Sequence, residues 1–179
     1  MLRYLLWQIA RSSSNGGIVM AAEDKRPYRK CVGVMLVNRD DKVFVGDRID
    51  TEEENWQMPQ GGVDKGETLK AAASRELLEE TGTDKAEFIG EVPHWIHYDL
   101  PIDISKRVWG GRYRGQKQRW FAMRFLGEDA DIRLDLHIPE FSAWRWVSVA
   151  AVCDMIIPFK RPVYAEVVEA FSPLFSRRD

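Results

Sequence analysis

The chain has little cysteine and little histidine. Its two cysteines, Cys31 and Cys153, form no CxxC pair, which excludes a disulfide framework and fits a reducing cytoplasm. His94, His97 and His137 show no zinc-ligand spacing, so a transition-metal centre is not expected. No apolar run reaches the roughly 20 residues that span a bilayer, and no membrane partner is expected. Charge of one sign is not in excess either: 26 basic against 28 acidic residues give a net charge of −2. No global field would draw nucleic acid, so any polyanion must be held by a local patch. Internal repeats and low-complexity stretches are absent.

What is present is an ordinary soluble composition, 45% hydrophobic and 30% charged over 179 residues. That length makes one domain with short tails and is ample for a packed core. Residues 1–24 are read as an N-terminal extension and 25–179 as the domain. The extension starts MLRYLLWQIA, followed by RSSSNGG without a signal-peptide cleavage pattern. It also lacks acids before Glu23, as a mitochondrial presequence would. Met20 is the expected true start, because Gly16-Gly17 implies GG-rich codons where a bacterial ribosome-binding sequence would lie.

The domain alternates strands with few helices, which predicts a mixed sheet covered by helices. Lys30 to Val37 is a near-continuous apolar run and reads as a buried central strand. Asn38 to Asp41 is a turn, and Lys42 to Arg48 reads as the antiparallel return strand. Asp50 to Asn55 reads as a solvated acidic loop. Further strands are expected at Ala86 to Pro93, Trp95 to Leu100, Gln118 to Leu126 and Phe141 to Val147. Pro101 to Arg112 reads as a loop. Val149 to Ile157 reads as a short helix, and Pro162 to Phe171 as an amphipathic one with proline in its first turn.

Between the early strands and the later ones lies Gly61 to Thr83, GGVDKGETLKAAASRELLEETGT. A glycine turn runs into a helix over about Thr68 to Glu80, capped by Thr68 or Glu67, with Gly82 at its C-terminal stop. Glu76, Glu79 and Glu80 stand at i, i+3 and i+4 and share one face. Like charges at that spacing destabilise a helix. Arg75, four residues before Glu79, can orient that carboxylate; a hard divalent cation such as Mg²⁺ is the other source of positive charge. The blander reading is a solvated acidic face.

Lys106 to Gly127 holds seven cations and no acid, a clamp for polyphosphate or a nucleic-acid backbone, or else a basic surface loop balancing the acidic one. Phe159-Lys160-Arg161 repeats the theme with an aromatic that could stack on a base. Trp120, Trp144, Trp146 and Trp56 read as packing residues. Trp95 and Trp109 fall in loops and are the better candidates for contact with a base. Cys31 reads as a small buried hydrophobe.

The full spacing, Gly61, five residues, Glu67, seven residues, then Arg75-Glu76-Leu77-Leu78-Glu79-Glu80-Thr81-Gly82-Thr83, resembles the signature box of the Nudix hydrolases, which cleave nucleoside diphosphates linked to another group. Every polar and glycine position of the box is filled. Thr83 departs from it, standing where an aliphatic packing residue is usual. YRKCVGVMLVNRD, WQMPQGG, GQKQRWF, PEFSAWRWV and PFKRPVY are similar to the bacterial RNA 5′-pyrophosphohydrolases and their diadenosine polyphosphate hydrolase relatives, from about Tyr28 to Phe171.

The resemblance implies an α/β fold, a Nudix-type α/β/α sandwich with a mixed β-sheet. It implies Mg²⁺, or Mn²⁺ in its place, held by Glu76, Glu79 and Glu80 with the Gly61 carbonyl and a distal Glu140. Arg75 would orient the carboxylates, and Glu79 or Glu140 would take the proton of the attacking water. Arg29, Arg48, Lys117 and Phe159 fall where the family contacts 5′ phosphates or first bases. Close relatives often have paired arginines where this chain has Asp47-Arg48. The implied substrates are 5′-triphosphorylated RNA or a dinucleoside polyphosphate. A non-catalytic nucleotide- or RNA-binding module is the reading from another class. A cytoplasmic monomer is expected.

Overall fold

Residues 24–50 and 54–175 are described in the computed structural model. The expected N-terminal leader and the Met20 start lie outside the described residues. Among the described residues eight strands form one mixed sheet between helical layers, as expected. The strands are β1 (Tyr28–Val37), β2 (Val43–Arg48), β3 (Trp56–Gln57), β4 (Gln60–Gly62), β5 (Ala86–Glu91), β6 (Ile96–Asp99), β7 (Gly115–Phe125) and β8 (Phe141–Val147). The helices are α1 (Leu69–Thr81), α2 (Ile102–Ser105), α3 (Val152–Met155) and α4 (Arg161–Phe171). Among the described residues no helix is long and apolar enough to cross a membrane.

β1 is the axis. It runs parallel to β7 from Tyr28↔Gly115 to Val37↔Arg124. Its apolar run is continuous because helices cover both faces. Val32, Val34 and Leu36 join Phe121, Met123 and the α1 residues Ala72, Ala73 and Leu77 in one cluster. Met35 and Val37 join Trp120, Ala122 and the α4 residues Val163, Tyr164, Val167 and Phe171 in the other. Trp120 and Cys31 are fully buried and Trp56 nearly so, while Trp144 and Trp146 pack half-buried on the α1-side cluster.

The return strand is antiparallel to β1, as expected, but its pairing is short. β2 meets β1 only at Val37↔Val43. It then runs antiparallel to β8, from Val43↔Val147 to Arg48↔Phe141. The reason is competition for one edge of β1. β4 takes that edge at Cys31↔Gly62, Val32↔Gly61 and Gly33↔Gln60, and Val34 N–H donates to the Pro59 carbonyl at 2.8 Å. Two other segments depart from expectation. Pro101 to Arg112 holds α2 and a 3₁₀ turn, Val108–Gly111, because Ile104 and Val108 drop into the core. Val149 to Ile157 splits into a 3₁₀ turn, Val149–Ala151, and α3.

α1 is capped by Thr68, whose Oγ1 accepts from Ala71 N–H at 3.2 Å, not by Glu67. At its far end Gly82 adopts φ 72°, a left-handed turn that glycine enters without steric cost. Its N–H reaches the Leu78 carbonyl at 2.8 Å. Thr83 is buried and accepts from Lys85 N–H at 3.2 Å, so the departure from an aliphatic residue supplies a turn bond at a packed position.

α4 reaches across to the segment that leads into the glycine turn. The buried Tyr164 hydroxyl accepts from Met58 N–H at 3.0 Å. Tyr164→Phe leaves that donor unpaired and should lower unfolding stability by about 1–3 kcal/mol, read as a lower urea midpoint with unchanged slope. An unchanged midpoint would remove this bond from the account.

Candidate active site

A cleft of about 230 Å³ opens where β4, α1, the ends of β2 and β8 and the segment before α4 meet. One wall is carboxylate. Gly61, Gly62, Glu76, Glu79 and Glu140 line it. The glycines leave room for two side-chain ends: a Cβ on Gly61 would push aside the Glu76 carboxylate, and one on Gly62 the Arg29 guanidinium.

Arg75 organises this wall. Its Nε and Nη2 donate to the two Glu67 oxygens, both at 2.9 Å. Nη2 also reaches the Gly62 carbonyl at 2.7 Å. Nη1 donates to Glu76 at 2.8 Å and to Glu79 at 3.2 Å. One guanidinium thus ties the glycine turn to three carboxylates, and its own pKa is raised, first by its hydrogen bonds to Glu67.

The carboxylates differ in burial. Glu79 is the open one, its side chain 45% exposed. Glu76 is buried, and burial raises its pKa despite Arg75. Glu80 lies deeper still, 3% exposed. Its Oε2 accepts from Gln60 N–H at 3.0 Å, and its Oε1 has no hydrogen-bond partner among the described residues. Burial, then the neighbouring Glu140, pushes its pKa well above the usual carboxylate range.

The rest of the lining is largely cationic and aromatic. Arg29, Arg48, Tyr98, Trp109, Phe159 and Lys160 contribute to it. Arg48 is clasped by Asp50, Nε and Nη2 each at 2.7 Å from a carboxylate oxygen. Its Nη1 lies 3.5 Å from Glu140. The Arg29 guanidinium sits 5.2 Å from the Trp109 ring. Trp109 is held at φ 51°, a left-handed conformation that costs a non-glycine residue about 1 kcal/mol or more. Lys160 is buried, donates to Gln57 Oε1 at 3.2 Å, and has its pKa lowered to about 7 by burial first and then by Arg48.

The NUDIX domain model matches residues 27–167. The chain belongs to the Nudix family. It is 56% identical over 148 residues to the RNA pyrophosphohydrolase of Dinoroseobacter shibae, covering 82% of this chain and 92% of that one. It is 52% identical over 157 residues to the RNA pyrophosphohydrolase of Sphingopyxis alaskensis, covering 87% and 99%. Among solved structures it is similar to the E. coli dihydroneopterin triphosphate pyrophosphohydrolase, with TM-score 0.61 and 20% identity over 80% of this chain and 99% of that one. A C. elegans Ap4A hydrolase gives TM-score 0.60 and 15% identity over 82% and 98%. The two structures share the Nudix fold with this chain.

The structure brings the Nudix-box residues Gly61, Glu76 and Glu79 together with Glu140, Arg29, Arg48 and Phe159 around one cleft, with Arg75 and Glu80 behind. Lys117 is not in the lining; its ammonium lies 5.3 Å from the Trp95 ring. The other cations of 106–127 are likewise outside the cleft lining, where Gln116 is the residue that β7 supplies. Arg114 pairs with Asp99, Arg119 with Glu91 and Arg124 with Asp41. Asp50, read as part of a solvated loop, has a side chain only 8% exposed. Lys160 belongs to the second basic segment, while nothing in the sequence marks Asp50, Gln60, Tyr98 or Gln116 as cleft residues. Strand parity placed on the parallel β1/β7 register would have found Gln116.

Among the described residues no three His, Cys, Asp or Glu side chains converge as a metal site, since Arg75 takes oxygens of Glu76 and Glu79. The donor set nonetheless fits a hard cation: all-oxygen ligands, the Glu80 oxygen without a partner and a glycine cradle against Glu76. Gly61→Ala would displace the Glu76 carboxylate and should lower kcat on the order of 100-fold. Retained kcat in a correctly folded Gly61→Ala protein would show that this contact is not needed.

Proposed function

We propose that this Nudix protein is a divalent-cation-dependent RNA 5′-pyrophosphohydrolase, releasing pyrophosphate from 5′-triphosphorylated RNA and leaving a 5′-monophosphate end. The observation that carries the reading is the identity of 52–56% with proteins of that name across four-fifths or more of the chain. The cleft suits it, lined by carboxylates together with cationic and aromatic groups.

Glu76, Glu79, Glu80 and Glu140, with the Gly61 carbonyl, would hold Mg²⁺, or Mn²⁺ in its place; when bound, the cation neutralises phosphate oxygens and acidifies a water. Arg75 orients the carboxylates from behind. Arg29 and Arg48 meet the 5′ phosphates, and Phe159 offers a ring to a base. Asp50 grips Arg48, and Arg48 in turn steadies Glu140. A water oxygen attacks phosphorus, the anhydride bond breaks, pyrophosphate departs, and the proton of the water passes to Glu79 or Glu140. A module that only binds nucleotides would have no use for buried, mutually repelling carboxylates.

The test is kcat/KM, with Mg²⁺, for 5′-triphosphorylated RNA and for diadenosine tetraphosphate side by side. The RNA should be preferred, with pyrophosphate as product. Preference for the dinucleotide would make the protein a dinucleoside polyphosphate hydrolase instead. Glu79→Gln should lower kcat by roughly 10²–10⁴ with little change in Tm; an unchanged kcat would leave Glu140 as the proton acceptor.

A further inference from the structure

The sheet carries a second cationic surface on the face that α1 covers, opposite the one from which Arg29 and Gln116 line the cleft. The register sets Lys30 of β1 beside Lys117 of β7, and Lys117 beside His97 of β6. Farther along the same face of β7, Phe121 and Met123 are packed under α1. At this end Lys30 and His97 are exposed. Two residues before His97 is Trp95, with the Lys117 ammonium 5.3 Å and the Arg119 guanidinium 5.9 Å from its ring.

Like charges side by side across strands are destabilising, and this row contains no carboxylate. The acids nearby serve the flanking rows. Glu91 pairs with Arg119 at 2.6 Å, and Asp99 pairs with Arg114 at 2.8 Å. Asp64, near Lys30 in the chain fold, is turned toward Arg75 at 4.0 Å. The central row therefore sets two cations of like sign, Lys30 and Lys117, and the His97 ring beside a half-buried aromatic ring, in a protein whose net charge is −2. Arg29 and Gln116, the residues just before Lys30 and Lys117, line the cleft from the other face of the same two strands.

We propose that Lys30, Lys117 and His97 hold the phosphate backbone of a single RNA strand downstream of the 5′ end lodged in the cleft, and that Trp95 stacks on one of its bases. Alternating cations and an aromatic platform are the chemistry that binds single strands without reading sequence. The proposal rests on RNA being the substrate. Only a substrate with several nucleotides beyond its 5′ end reaches this face, so the surface sets affinity for long transcripts and leaves the chemistry in the cleft untouched.

Lys30→Glu places an anion beside Lys117, and His97→Glu does so from the other side; both residues are exposed, and matching Tm values check that both variants fold. KM is measured for a triphosphorylated dinucleotide and for a long single-stranded triphosphorylated RNA. The expected result is a KM for the long RNA raised on the order of tenfold in each variant, with a shallower salt dependence, while kcat and KM for the dinucleotide stay at wild-type values. Equal effects on both substrates, or none on either, would overturn this surface while leaving the RNA reading intact. A wild-type protein that turns over no RNA would overturn both.

Discussion

Arg75 holds together carboxylates that repel one another, and much of the local structure follows from that arrangement. Glu76, Glu79 and Glu80 occupy one face of α1, a spacing that by itself weakens a helix. The guanidinium answers part of this charge and at the same time bonds Glu67 and the Gly62 carbonyl. It therefore fixes the glycine turn onto the helix. β4 then lies along β1 with the Glu76 carboxylate in the space that a side chain at Gly61 would take. Thr68 and Gly82 close the helix at either end and fix its length. Glu80 is left with an oxygen that no described residue satisfies.

Much of this was legible because it is local. The box, the helix and its stop at Gly82 are contained in one short stretch, and the apolar run of β1 announces burial on both faces. The cap could be narrowed only to Thr68 or Glu67, since the choice depends on Arg75 engaging Glu67 across a turn. What was not legible depends on pairing between distant segments. β2 is the antiparallel partner of β1 at Val37, but nothing local to Val43–Arg48 reveals that β4 takes the rest of that edge. Asp50 looked like one acid of a solvated loop; only the inward course of Arg48 makes it a buried partner. The run from Lys106 to Gly127 looked like one clamp, yet β7 alternates its side chains between faces. Gln116 goes to the cleft while Lys117 goes to the other side. Arg114 and Arg119 meet acids from β6 and β5 that lie far off in sequence.

The two faces of the sheet thus divide the work of the proposed enzyme. α1 brings Glu76 and Glu79 to the cleft from one side of the sheet, and Arg29 and Gln116 enter it from the α4 side, where Tyr164 braces the approach to the glycine turn. A charged row stands behind them across the same strands. Both arise from the parallel β1/β7 pair, whose successive residues alternate between chemistry on one face and charge on the other.

The central claim is that buried carboxylate charge is kept for a divalent cation. Glu80 has a folded-state pKa raised by burial, so the folded state binds more protons than the unfolded one, and stability falls as pH rises from the ordinary carboxylate range through the raised value. Tm at neutral pH, in chelator and then in excess Mg²⁺, for wild type and Glu80→Gln tests this most directly. In chelator the variant should be the more stable. Mg²⁺ should raise the wild-type Tm by several degrees, since a ligand at about 100 times its Kd adds about 2.7 kcal/mol, and should raise the variant's by less. A wild-type Tm that ignores Mg²⁺, or a variant no more stable than wild type in chelator, would contradict the account.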